Sequence, residues 1–338
     1  MKRFLLPEEG QFYKANLHSH STVSDGDLTP EEMKKVYMDM GYSIIAYTDH
    51  NVMKAHPELS DGEFLALNGY EVDIDELEPS MDALKEMAHV RKSTHLCLIA
   101  LEPETQQHLF EFYGEKLSHL RIRVPGTDDS QWFYKMENIN EAIRQAREAG
   151  FFVTYNHPHW SLEDYSHYSR LEGLNALEIC NGGSFKAGFE EYNPQVYDDM
   201  LRLGKRIWCV AGDDNHNHGP ADDWDSGIAW TVFKAPSLDY RTITKALEAG
   251  HFYASQGSEI HALWVEDGVL HVKTSDAVSI RFNFGTRDTK NVRAKAGSFV
   301  NEASVPLDPY FRYVRVTVTD REGNHANSNA YFIEELMA

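Results

Sequence analysis

The sequence predicts an α/β protein in two parts: a barrel of alternating strands and helices over residues 1–255, with a helical insertion at 102–137, and a small antiparallel β-sandwich over 256–338. Three observations predict it. Short apolar runs alternate with amphipathic stretches through the first 250 residues, the pattern of strand–helix–strand units on a parallel sheet. About seven such repeats suit a barrel better than an open sheet. Beyond Ser255 the runs turn short and strand-like and are separated by turn dipeptides.

In order, the predicted strands of the first part are Phe12–Leu17, Ser43–Tyr47, Phe64–Asn68, His95–Leu101, Phe151–Tyr155, Ala176–Cys180 and Ile207–Val210. Thr29 and Glu32 form a capping box with Pro30 at the first helical position, and that helix closes at Gly41. Further helices run over Asn138–Ala149 before Gly150, Pro194–Leu203 before Gly204 and Ser237–Ala249 before Gly250. Residues 102–137 are charged and aromatic without a core strand, hence the helical insertion. In the second part, Ile260–Val265, Leu270–Thr274, Ser279–Asn283, Tyr310–Val318 and Ala330–Glu334 read as strands, with turns at Asp267-Gly268 and Glu322-Gly323.

Composition excludes several classes of partner. With 32 basic against 53 acidic residues the net charge is −21, which repels a long polyanion, so extended nucleic acid is not an expected ligand. A small anionic substrate stays open, because divalent ions invert the field locally. The longest apolar runs stop far short of the ~20 residues a membrane helix requires. Residues 1–10 are too short for a secretory apolar core. Cys97, Cys180 and Cys209 all sit inside apolar runs and read as buried thiols in a reducing, cytoplasmic setting.

Histidine is the compositional oddity, at 17 residues. His18 and His20 end the first strand two residues apart, so both rings point to one side. Asp25 follows in a turn, Asp49 and His50 close the second strand, Glu71 follows the third, and His95 opens the fourth apolar run. His157 follows the fifth strand, and Asp214 and His216 follow the seventh. Taken singly each is weak. Six histidines and three carboxylates placed at strand ends mark the rim where barrel enzymes assemble their sites. Imidazole with carboxylate is the ligand set of zinc, manganese or iron, and nine ligands suit two or three ions, with a carboxylate such as Glu71 bridging. Ions about 3.5–4 Å apart hold a bridging hydroxide and clamp an ester oxygen, which argues for hydrolysis.

The run His18-Ser-His20 through Ser24-Asp25-Gly26, then Thr48-Asp49-His50, Glu71, His95, His157-Pro158 and Asp214-Asn-His216, resembles the PHP family, named for polymerase and histidinol phosphatase. The resemblance spans about residues 11–255 and implies a distorted (β/α)7 barrel with two or three divalent metals. Carried over by position, it implies His18, His20, Glu71 and Asp214 on a first metal, Glu71, His95 and His157 on a second, and Asp25, His50 and His216 on a third. Asp49 then orients a ligand. Asp213 and Asn215 depart from the family's usual filler residues, which leaves open whether Asp213 or Asp214 reaches the metal. The segment Phe252–Ile260 with the strands beyond it more loosely resembles the branch containing the carbamate-hydrolysing CehA/McbA-like enzymes.

The leading expectation is a phosphoesterase that attacks a small phosphorylated metabolite through a metal-bridging hydroxide, with Glu71, Asp49 and His159 assisting and Asn181 and Lys186 meeting the substrate. A carbamate, amide or carboxylic-ester hydrolase on the same metals is the alternative. A non-catalytic, metal-stabilised binding protein is the third.

Overall fold

A computed structural model describes residues 2–76, 91–113, 121–123 and 134–337. Trp132, which the sequence offers as a lining residue, and much of the expected insertion lie outside them. In chain order the first half carries β1 (Lys2–Phe4), β2 (Gln11–Asn16), α1 (Pro30–Asp39), β3 (Ile44–Tyr47), β4 (Leu65–Asp75), β5 (Ser93–Ala100), β6 (Glu111–Tyr113), β7 (Arg121–Arg123), α2 (Met136–Glu148), β8 (Phe151–Tyr155), α3 (Tyr165–Tyr168), β9 (Ala176–Asn181), α4 (Gly182–Lys186), α5 (Pro194–Arg202) and β10 (Trp208–Gly212). Then come β11 (Trp230–Ala235), α6 (Tyr240–Ala249), β12 (Phe252–Ser255), β13 (Ile260–Glu266), β14 (Val269–Ala277), β15 (Ser279–Asn283), β16 (Thr289–Arg293), β17 (Val300–Pro306), β18 (Tyr313–Thr319), β19 (His325–Ser328), β20 (Tyr331–Phe332) and α7 (Ile333–Leu336).

Local signals act as expected at α1. The Thr29 hydroxyl accepts from Glu32 N–H, and the Glu32 carboxylate accepts from Thr29 N–H at 2.9 Å. At the end of α6, Gly250 takes the left-handed conformation at φ 71°, where its N–H satisfies the carbonyls of Ala246 and Leu247.

The strands form one large sheet in the order β10-β9-β8-β5-β4-β3-β2-β11-β12-β19-β18-β15-β16, with β20 on β18, and a separate antiparallel sheet β1-β13-β14-β17. This is a mixed α/β fold, and it corrects the expected all-parallel sheet. β2, β3 and β4 pair parallel, but β4–β5, β5–β8 and β2–β11 are antiparallel. An apolar run reports burial and not direction, so the sequence pattern could not separate the two. β10 and β2 do not pair as strands. Their ends meet through Asp214 N–H to the His18 carbonyl at 2.9 Å and His20 N–H to the Asn215 carbonyl at 3.0 Å. In the described ladder the edge strand β10 and the interior strand β2 are thus joined beyond their ends, at these two bonds.

Of 102–137 the described residues before Met136 are not helical: β6 and β7 form a two-stranded antiparallel ribbon, and α2 begins only at Met136. Ala330–Glu334 is also corrected, to the short strand β20 followed directly by α7. The expected division at residue 255 is crossed twice. β1 pairs with β13, burying Leu5 and Leu6 against Leu263, Phe282 and Val316, and β12 pairs with β19 inside the large sheet.

One charged clamp ties α5 to β18. Arg315, 1 % exposed, donates from Nε to Asp198 Oδ1 at 2.8 Å and from Nη2 to Oδ2 at 2.7 Å, while the Tyr313 hydroxyl donates to Oδ1 at 2.7 Å. Burial pushes the Asp198 carboxyl up, but the guanidinium and the phenol outweigh it and hold it below the usual carboxylate range.

Candidate metal centre

The strand directions decide which residues meet. Because β5 runs against β4, the start of β5 lies beside the end of β4: Asp73 and His95 are partners directly across the ladder, as are Glu71 and Cys97. His95 therefore joins the same rim although it opens its strand. β8 runs against β5, and Asn156 N–H bonds the His95 carbonyl at 3.1 Å, which delivers His157 to the same place. The turns beyond β2, β3 and β10 bring His18, His20, His50, Asp214 and His216.

Three overlapping groups result. The ligand atoms of His18, His20, Glu71 and Asp214 lie within 4.8 Å of one another, as do those of His20, Asp25, His50 and His216, and those of His50, Glu71, Asp73 and His95. Glu71, 0 % exposed, belongs to two of them and stands 3.1 Å from His18, 3.1 Å from His50, 3.2 Å from His95 and 3.3 Å from His157. Burial alone would raise its pKa. The imidazoles of His18, His95 and His50 more than offset that and hold it well below the usual range. His216 is also lowered, to about 4, but through burial and the neighbouring His20.

The rings are oriented from behind. His18 Nδ1 lies 3.0 Å from Glu178 Oε1, His157 Nδ1 lies 3.2 Å from Ser161 Oγ, and His216 Nδ1 lies 3.1 Å from the Asp214 carbonyl. With Nδ1 of His18 engaged, its Nε2 turns inward to lie 3.3 Å from His20 Nε2, and both nitrogens are near Asp214 Oδ1. His20 Nδ1, His95 Nδ1 and Glu71 Oε2 are buried without a hydrogen-bond partner. Converging acceptors and orphaned polar atoms are what a divalent cation satisfies, so the residues present fit metal ions.

Backbone strain concentrates at the same spot. His157 and Asp214 have φ of 23° and 52°, in the left-handed region that side chains disfavour. Glycines admit the close approaches: a Cβ on Gly212 would lie 2.8 Å from His18 Cβ, and one on Gly26 would lie 2.3 Å from the His20 carbonyl oxygen.

Other expected residues fall differently. Asp214 reaches the histidines. Asp213 instead accepts from the backbone of Gly227, Ile228 and Ala229 and from the Tyr37 hydroxyl, with burial pushing its carboxyl up to about 6. Asp49 orients no imidazole among the described bonds; it accepts from the backbone and hydroxyls of Ser21 and Ser24 and so shapes the loop that carries His20 and Asp25. Asn181 donates to Glu178 and, at 3.0 Å, to Asp214 Oδ2, which positions that carboxylate. Lys186 ties two loops, its ammonium held by the carbonyls of Asp223 and Trp224 and by the Asp223 carboxylate. His159 is on the rim, where its Nδ1 accepts from Glu190 N–H at 3.1 Å and its ring meets Phe189.

Two carboxylates escaped the sequence reading. Asp73 lies 3.0 Å from His50 Nδ1 and is lowered from its ordinary pKa, burial being outweighed by His50 and His95. Its signal was the spacing Glu71-Val-Asp73, which places both side chains on one face if the strand continues past Asn68. Glu178 interrupts the apolar run Ala176–Cys180 and is 2 % exposed. Loss of such an outer partner typically costs about 10–100-fold in metal affinity. Glu178→Gln is expected to fall in that range, measured by metal titration, and unchanged affinity would show that His18 needs no orientation from it.

Comparison with known proteins adds the family. A model described as PHP domain matches residues 16–214. Solved structures are similar too, three among them as follows. The first is a two-domain protein from Bacteroides vulgatus containing a predicted PHP-like metal-dependent phosphoesterase (14 % identity, 97 % of each chain covered, TM-score 0.44). The second is a predicted metal-dependent phosphoesterase from Bifidobacterium adolescentis (14 % identity, 63 % of this chain and 91 % of that one, TM-score 0.34). The third is an amidohydrolase from Chromobacterium violaceum with bound sulfate and no metal (18 % identity, 70 % and 96 % covered, TM-score 0.40). No curated protein matches. Since the domain match takes in more than half of the chain, with every residue of the three groups but His216 inside it, this protein belongs to the PHP family.

Proposed function

We propose that this chain is a metal-dependent phosphoesterase acting on a small phosphorylated metabolite, with two to three divalent ions held by His18, His20, Asp25, His50, Glu71, His95, His157, Asp214 and His216, and with Asp73 added to that set. The observation that carries the reading is the three overlapping groups, two of them sharing the buried carboxylate of Glu71, that line a cleft of about 570 Å³. When bound, such ions acidify water to a nucleophile near neutral pH and take charge off the ester oxygens. The chain's own residues do the rest. Glu71 holds two adjoining groups together, Glu178, Ser161 and the Asp214 carbonyl fix the imidazole tautomers, and Asn156 donates to Glu71 at 2.9 Å. Asp25 stands 3.6–3.8 Å from His216, His20 and His50 and faces the cleft. A phosphoryl group offers that corner a second non-bridging oxygen, which a planar carbamate lacks.

No helix among the described residues is long and apolar enough to cross a membrane. A small anionic substrate, no long nucleic acid and a reducing, cytoplasmic setting complete the reading. The test is metal content per chain followed by turnover of phosphomonoesters, phosphodiesters and aryl carbamates. The expected result is phosphomonoester hydrolysis that Asp25→Asn lowers about tenfold or more while the Glu71-centred metals stay bound. Turnover confined to carbamates, or unaffected by Asp25→Asn, overturns it.

A further inference from the structure

The lining of the cleft is mixed in kind. It carries Trp160, Leu162 and Phe189, which are 42 %, 43 % and 36 % exposed although large and apolar. It also carries carboxylates, Asp75 and Asp225 among them. Among the described residues lining the cleft the single permanent cation is Arg91, and Asp75 neutralises it at 3.1 Å. Exposed aromatic and aliphatic groups that adjoin a polar site, and are not scattered over a surface, mark a binding wall.

The apolar wall is built and held. The Trp160 ring meets His95 and His157 edge to face, at centroid distances of 5.2 and 5.0 Å, so it borders the metal cluster directly. Its backbone N–H donates to Glu191 Oε2 at 2.8 Å, and the His159 N–H donates to Oε1 of the same buried carboxylate at 3.3 Å. Glu190 N–H donates back to His159 Nδ1, and Phe189 packs against that ring at 6.0 Å. These bonds clip the turn after His157 to the segment that follows α4. The wall is thus fixed before any ligand arrives, and little ordering cost is left to binding.

Resting on the phosphoesterase reading, we propose that the substrate is a monoester of an apolar, planar alcohol or phenol, whose leaving group lies on Trp160 and Phe189, and that the cleft rejects a second phosphate. One phosphoryl group would be neutralised by the ions at Glu71. A second, projecting up the cleft, meets Asp225 with no free cation among the described residues that line it, and like charges at close range cost binding. A flat ring instead loses water against the indole, and one added apolar increment in such a pocket is worth about tenfold or more in specificity.

Two measurements on the metal-loaded protein test this. Calorimetric titration compares 1-naphthylphosphonate with methylphosphonate, and turnover compares 1-naphthyl phosphate with glycerol phosphate and with a bisphosphorylated sugar. The expected result is a preference for naphthyl of about tenfold or more in both. Trp160→Ala is expected to abolish the preference and Trp160→Phe to keep most of it. Because Trp160 touches two candidate ligands, Phe189→Ala is the second variant; it should reduce the preference with metal content unchanged by elemental analysis. Equal affinity for the two phosphonates, a preference that both alanine variants leave intact, or faster turnover of the bisphosphate overturns the inference. A naphthyl preference in binding with no phosphate ester turned over overturns the phosphoesterase reading alone and leaves the apolar wall in place.

Discussion

Glu71→Gln is expected to yield a folded protein that has lost metal from two adjoining groups at once. The amide keeps the volume and can still accept from Asn156, so packing survives. What goes is the one negative charge that faces four imidazoles within 3.3 Å. Since loss of a partner outside the coordination sphere already costs about 10–100-fold, loss of a shared carboxylate ligand should exceed about 100-fold in affinity and take turnover with it. Elemental analysis after dialysis reads the effect. Full retention of metal in this variant would remove Glu71 from the shared position and break the proposed arrangement.

The largest expected effect on stability is at Asp198→Ala. Arg315 is fixed on a central strand at 1 % exposure and cannot swing into water, so the substitution strands a guanidinium without its counter-charge, a loss of roughly 3–5 kcal/mol. Urea denaturation measures it. In the double variant Asp198→Ala with Arg315→Met most of the loss should return, because an apolar pair of similar volume often replaces a buried ion pair without penalty. The pH dependence has a definite sign. The folded-state carboxyl lies below its unfolded value, so its contribution is complete above the ordinary carboxylate pKa of about 4 and fades as pH falls through the lower folded value. The gap between wild type and Asp198→Ala should therefore narrow only in strong acid. A gap that is constant from neutral pH into that range would show that the ion pair contributes nothing.

The cluster was legible because each of its members sits next to a run whose burial is plain: His18 and His20 after Phe12–Leu17, His50 after Ser43–Tyr47, His157 after Phe151–Tyr155. Asp73 was lost through a boundary. The apolar run stops at Asn68, yet β4 continues to Asp75, because residues 69–74 alternate between the core and a polar interior that the histidine and carboxylate cluster creates. Glu178 was lost because a charge inside a buried strand has no pattern signature of its own; its partner His18 is 160 positions away. Strand direction at β4–β5 was invisible for the same kind of reason, since pairing partners are chosen by connections and not by residue type. β16 and β17 are mostly exposed and carry no apolar alternation, so only their neighbours in the sheet define them.

The pairing of β1 with β13 bears on how the chain reaches this structure. Lys2 finds its partner at Glu266, so β1, once made, must wait for a strand from the far part of the chain. At about 5–20 residues per second that interval is roughly ten seconds to a minute. During it Leu5 and Leu6 have no apolar surface to cover them, since their contacts are residues of the second half. The two histidines of the first motif lie a dozen residues downstream, and their site can assemble from residues 16–216 well before β1 is seated. Assembly of the metal cluster and closure of the N-terminal strand are therefore separable events in time, and a nascent chain arrested after β12 should already gather its histidines while its first strand is still open to proteases.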